Sequence, residues 1–79
     1  MNNEDIIPVY SFDEWTAQCK AKGLQVHNHG LLNSKYTGIA SLWYTATDSA
    51  GLHGEYIVFC NRPDIRDSGY FFTNPVPVT

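Results

Sequence analysis

One segment of this chain has the marks of a helix, and nearly everything after it is β-type. Ser11-Phe12-Asp13-Glu14 has the form of a capping box, in which the serine hydroxyl serves the amide three residues on and Glu14 reaches back to the serine amide. Phe12, Trp15 and Cys19 follow at i, i+3 and i+7 and make one apolar stripe. Asp13 and Glu14 fall in the first turn, and Lys20 and Lys22 in the last, which complements the helix dipole. Gly23 stands where the left-handed residue after a helix is expected. The spacing predicts a helix over 12–22.

The rest reads as short strands and turns. Residues 6–10 form a brief strand, and Pro8, which cannot donate to a ladder, places it at a sheet edge. Residues 24–27 alternate, then run into a loop over 29–34. A long strand rich in β-branched and aromatic residues is expected over 36–47, and the returning strand over 55–60. Between them, 48–54 holds two glycines and reads as a hairpin loop. Residues 61–69 read as a loop, 70–73 as a last strand, and 74–79 as a proline-interrupted tail.

The order β-α-β-β-β-β implies an α+β fold, a single helix packed on a four- to five-stranded, mainly antiparallel sheet. At 79 residues the chain is expected to be one domain over 1–79, with a polar N-terminus over 1–5. One helix covers one sheet face. The two long strands are apolar or aromatic on both sides, with Ile39 and Trp43 against Ala40, Leu42 and Tyr44, and Tyr56 and Val58 against Ile57 and Phe59. A sheet with one solvated face should alternate with polar residues. The second face is therefore expected to be covered by the tail, a second copy of the chain or a partner.

Composition narrows the partner. Net charge is −3, and the five basic residues Lys20, Lys22, Lys35, Arg62 and Arg66 are scattered, so no stripe can track phosphates. Direct nucleic-acid binding is not expected, nor is an anionic membrane surface. Met1-Asn2-Asn3-Glu4-Asp5 is acidic and no long apolar run follows, so a cytoplasmic location is expected. Cys19 and Cys60 are too few for a disulfide framework and read as free, buried thiols.

Three constellations touch on chemistry. His27 and His29 stand two apart on a strand and so share a face, where a metal would need further ligands from His53, Cys19, Cys60 or a carboxylate. No CxxC, HExxH or spaced His/Cys quartet accompanies them, so solvated imidazoles at a strand end are the reading and no metal is expected. Cys19 lies late in the helix, where the dipole raises a thiol pKa, and a core role fits it better than a nucleophile's. Asp64 and Asp67 sit in a loop, as turn chemistry favours. With no phosphate cradle or nucleophile motif, the chain reads as non-enzymatic, with no cofactor.

What remains is a surface. Tyr36, Trp43, Tyr44 and Tyr70 supply aromatic anchors, with Asp48, Glu55, Asp64 and Asp67 as an acidic rim, and these eight are the expected partner-binding residues. Such a pattern suits a partner presenting basic groups. In size, acidity, the early helix Ser11-Phe12-Asp13-Glu14-Trp15 and the sheet after it, the chain resembles small proteins of phages and mobile elements, among them anti-CRISPR inhibitors. That resemblance implies a protein-binding inhibitor in the host cytoplasm. It would block a nucleic-acid-binding surface of a host protein or ribonucleoprotein complex. A self-associating structural or accessory domain, such as a homodimer, is the competing expectation, and a small metal-binding protein built on His27 and His29 the lesser one.

Overall fold

A computed structural model describes residues 5–33 and 38–77. Its elements are β1 (Ile6–Val9), α1 (Phe12–Ala21), β2 (Gln25–Asn33), β3 (Ala40–Asp48), β4 (Gly51–Phe59) and β5 (Ser68–Val76). The strands make one five-stranded sheet in the order β1-β5-β4-β3-β2. Every neighbouring pair is antiparallel, so this is the α+β sheet that the sequence implies. Among the described residues no helix is long and apolar enough to cross a membrane.

The helix is closed at both ends by its own sequence. Ser11 Oγ accepts from the Glu14 amide at 3.3 Å. At the other end the Gly23 amide donates to the Lys20 carbonyl and the Leu24 amide to the Cys19 carbonyl, at 3.1 and 2.9 Å. With Gly23 at φ 71°, that pair is a Schellman motif. It turns the chain straight into β2.

Helix α1 joins the two edges of the sheet, because β1 and β2 lie at opposite ends of the strand order. Four gaps of about 4.8 Å separate them, and a 10-residue helix is about 15 Å long, so it roughly bridges the sheet it covers. Trp15 and Cys19 point inward and are buried, with Phe12 packed beside them. They meet Val9, Ala46, Tyr56 and Phe71 from the strands, with Leu24, Tyr44 and Val58 at the margin.

Four boundaries differ from expectation. Strand β2 continues through 29–33, which reads locally as loop, by way of a bulge between Asn28 and Leu31. Gly30 at φ 84° forms the bend, and its amide donates to Asn28 Oδ1 at 2.8 Å. Strand β3 begins at Ala40 rather than 36; of the expected start, residues 36 and 37 lie outside the described residues. Strand β4 begins at Gly51, so the expected loop shrinks to a tight turn, with the Ala50 amide on Asp48 Oδ1 at 2.8 Å and Gly51 at φ 126°. Strand β5 runs from Ser68 to Val76, into the expected tail. Pro75 is tolerated there because it has no ladder partner in either register. Both cysteines are free, but Cys60 is exposed, since it lies just past the end of β4.

Candidate partner-binding face

Antiparallel registry decides which side chains share a face, because directly paired residues point the same way. Tyr44 pairs with Tyr56, and Tyr56 with Gly69; Ala46 pairs with Gly54, and Gly54 with Phe71. All of these lie under the helix. One residue out of phase, Trp43 pairs with Ile57, and Thr45 pairs with Glu55, which pairs with Tyr70. These lie on the face the helix leaves open, together with Pro8, the β1 partner of Tyr70, and His27, the β2 partner of Thr45.

Hydrogen bonds and ring contacts run across this open face from β2 to β5. His27 Nε2 lies 2.8 Å from Thr47 Oγ1, and His29 Nε2 2.7 Å from Thr45 Oγ1. The His29 ring stacks on Trp43 with centroids 4.2 Å apart. Trp43 Nε1 donates to Glu55 Oε2 at 2.8 Å. From β5, the Tyr70 hydroxyl donates to Glu55 Oε1, and the Tyr70 ring meets Phe72 edge-on at 5.1 Å. Glu55 is the hub. Trp43, Glu55 and Tyr70 are each partly exposed, and Ile57 is 37% exposed beside Trp43. The face is thus less apolar than its letters suggest, because its large rings carry polar tips that find partners.

The expected partner-binding residues therefore separate. Trp43, Glu55 and Tyr70 come together as one cluster. Tyr44 faces the other way and packs on Phe12 at 4.8 Å. Asp48 closes the β3–β4 turn with the His53 ring nitrogen at 2.7 Å. The imidazole and the Ala50 amide hold its carboxyl below the usual range. Asp64 takes both Arg62 Nε and Nη2, at 2.8 and 2.6 Å, which lowers its carboxyl likewise. Asp67 accepts from the Tyr56 hydroxyl at 3.3 Å. The acidic rim is largely engaged within its own loops. Tyr36 lies outside the described residues.

Sequence reasoning did not place His29 and Thr45 in this cluster. The signal was the matched period of two, His27/His29 against Thr45/Thr47. Their imidazoles are 6.4 Å apart and each is satisfied by a threonine. Among the described residues no group of three or more His, Cys, Asp or Glu side chains is placed to hold a metal ion.

Two tyrosines carry a pH dependence, and the Cys19 thiol, which burial pushes up to about 11, adds to it from a lower pH. Burial, then the neighbouring Asp67 charge, pushes the Tyr56 hydroxyl up to about 12. Burial, then the hydrogen bond to Glu55, pushes Tyr70 well above the ordinary tyrosine range. In the unfolded chain both ionise near about 10. Above that pH the unfolded state sheds protons the fold retains, so stability falls as pH rises. The slope is about 1.4 kcal/mol per pH unit for each tyrosine involved. Urea midpoints should begin to fall at about pH 9, where the unfolded chain's Cys19 thiol ionises, and drop more steeply between about 10 and 12. Tyr70→Phe should shallow the drop. A midpoint level up to pH 11 would show that these hydroxyls are not held neutral.

Comparison with protein-family models, with curated proteins and with solved structures gives no match to this chain. The reading of function rests on the face itself.

Proposed function

We propose that the chain is a non-enzymatic protein-binding domain, an inhibitor of the phage type. It seats its helix-free sheet face on a basic, nucleic-acid-binding surface of a host protein or ribonucleoprotein complex. The observation that carries this reading is the Trp43–Glu55–Tyr70 cluster, whose aromatic anchors are held in place by a shared carboxylate. Fixing large side chains before contact lowers the ordering cost of binding, and Trp and Tyr dominate contact energies. Charge supports the choice of partner. Glu55 sits on this face, while Lys20 lies on the helix, Lys22 over the Phe71 ring, Arg62 on Asp64 and Arg66 over Tyr10. With a net charge of −3, steric cover of a basic surface fits better than imitation of DNA.

The test is a tagged pull-down from bacterial lysate containing nucleic-acid-binding defence complexes. Wild type is compared with Trp43→Ala and with a helix-surface control, Lys20→Ala. One stoichiometric complex should be retained by wild type and by the control, and reduced at least tenfold by Trp43→Ala, as for a hot spot worth about 2 kcal/mol. Equal retention by both variants, or no retained complex with wild type, counts against the reading.

Self-association is a second reading, favoured by one observation. Strand β2 is an open edge bearing Val26, Leu31 and Leu32, which are 42%, 55% and 48% exposed. A dimer at low micromolar concentration that Leu31→Lys dissociates would favour it.

A further inference from the structure

We propose that the Trp43–Glu55–Tyr70 cluster receives an arginine side chain of the partner protein. This inference rests on the docking role just argued and names the chemistry at its centre.

An ionised carboxylate offers about four acceptor positions. In Glu55, Trp43 Nε1 takes one on Oε2 and the Tyr70 hydroxyl one on Oε1. Both donors are neutral. The ion pairs among the described residues are His53 with Asp48 and Arg62 with Asp64, so Glu55 is left with a formal charge that no described cation meets. Partly buried charge without a counterion is costly, and a docked cation would relieve that cost.

The geometry selects the cation. Each oxygen has one internal donor, so the open positions are divided between the two oxygens. Two parallel N–H groups fit that arrangement, and the guanidinium supplies them as a planar fork. An ammonium is a point donor and cannot serve both oxygens in parallel. The flanking indole and phenol add aromatic surface on which a guanidinium plane stacks.

Something on this chain also speaks against a second copy as the donor. Arg62 already gives its own fork to Asp64, and Arg66 lies 4.9 Å over the Tyr10 ring. Either would have to leave an existing partner first. A foreign arginine carries no such cost.

The probe is a capped Gly-Arg-Arg-Gly peptide, titrated into isotope-labelled protein while the two indole N–H signals are followed by NMR. Its lysine and citrulline counterparts are titrated in parallel. The arginine peptide should move the Trp43 indole signal saturably and leave that of Trp15 in place. The lysine peptide should bind about tenfold more weakly, the factor expected for one lost charge-assisted hydrogen bond. The citrulline peptide, which is neutral, should produce no saturable shift. Glu55→Gln should abolish the arginine response while the Trp15 signal stays where it was, which shows the fold intact. No shift with arginine, an equal shift with citrulline, or an arginine response that survives Glu55→Gln would each overturn the proposal. The pull-down separates the two claims. Loss of the partner with Trp43→Ala but not with Glu55→Gln would leave docking standing and remove the arginine. Glu55-dependent dimerisation in light scattering would assign the site to a second copy and also overturn it.

Discussion

Trp15→Ala is expected to leave little or no cooperative unfolding transition. Trp15 is fully buried and is the element through which α1 holds the sheet. Its ring stacks on Phe71 at 5.6 Å and meets Tyr56 at 5.7 Å and Phe12 at 6.4 Å. Truncating a buried tryptophan typically costs about 3–5 kcal/mol, the lost transfer energy plus the cavity left behind. At roughly 0.05–0.15 kcal/mol per residue, a domain of 79 residues has about 4–12 kcal/mol in all, and one with so thin a core belongs near the lower end. With a slope near 1 kcal/mol/M, the urea midpoint should fall by about 3 M or disappear. Trp43 remains as the fluorescent reporter. A loss below about 1 kcal/mol would show that the helix does not hold the sheet in this way. Trp15→Phe separates two contributions. It keeps a ring in the core but removes the Nε1 hydrogen bond to the Tyr70 carbonyl, 3.3 Å away, and should cost about 1–2 kcal/mol. That bond also ties the core to the open face. The backbone of Tyr70 is held by Trp15 on one side of β5, while its hydroxyl reaches Glu55 on the other.

The helix was legible because its signals are local. A cap, an i, i+3, i+7 stripe and a following glycine lie within 13 residues, from Ser11 to Gly23; the serine hydroxyl, the stripe and the glycine take their expected roles, while of the capping box only the Ser11 half is formed. Strand limits were less legible, because what sets them is information from another strand. Gly51 and Gly54 look like loop residues to their neighbours in sequence, yet both lie in β4, Gly51 opposite Asp48 of β3 and Gly54 between Ala46 of β3 and Phe71 of β5. The bulge at Asn28–Leu31 likewise lets β2 continue past a glycine that locally signals a stop. The candidate site shows the same limit. Trp43, Glu55 and Tyr70 stood out as residue types, but registry alone brings them together. Parity along β3 was undetermined until the helix had a side, and that is why Tyr44 was grouped with Trp43 although consecutive strand residues face opposite ways.

Among the sheet glycines with ordinary backbone conformation, Gly69→Ala should be the most damaging, with Gly54→Ala close behind; at Gly51 a methyl would meet the Val76 carbonyl and also carry the strain of φ 126°. The reason is space, not backbone conformation. On the helix side Gly69 pairs with Tyr56, and Gly54 with Phe71. Each aromatic side chain lies against the glycine across from it, as in aromatic cover of a strand glycine. A Cβ on Gly69 would enter the Tyr56 ring and come within 2.6 Å of the Glu55 carbonyl. One on Gly54 would enter the Tyr70 carbonyl and come within 2.9 Å of Phe71 Cδ1. Neither obstacle is a flexible tip that can swing aside. Overpacking costs about 1–3 kcal/mol when the surroundings can give, and here they are ladder carbonyls and core rings, so the upper end or beyond is expected. Gly23→Ala is the control for backbone strain alone. It meets nothing within 4 Å but sits at φ 71°, and should cost about 1 kcal/mol. The double variant Gly54→Ala/Gly69→Ala should cost less than the sum, because Tyr56 and Phe71 both lean on Trp15 and the first displacement loosens the site of the second. Denaturant titration of the four variants gives the order directly. If Gly69→Ala matches wild type while Gly23→Ala does not, Tyr56 does not lie over Gly69, and the β4–β5 register that places Glu55 beside Tyr70 falls with it.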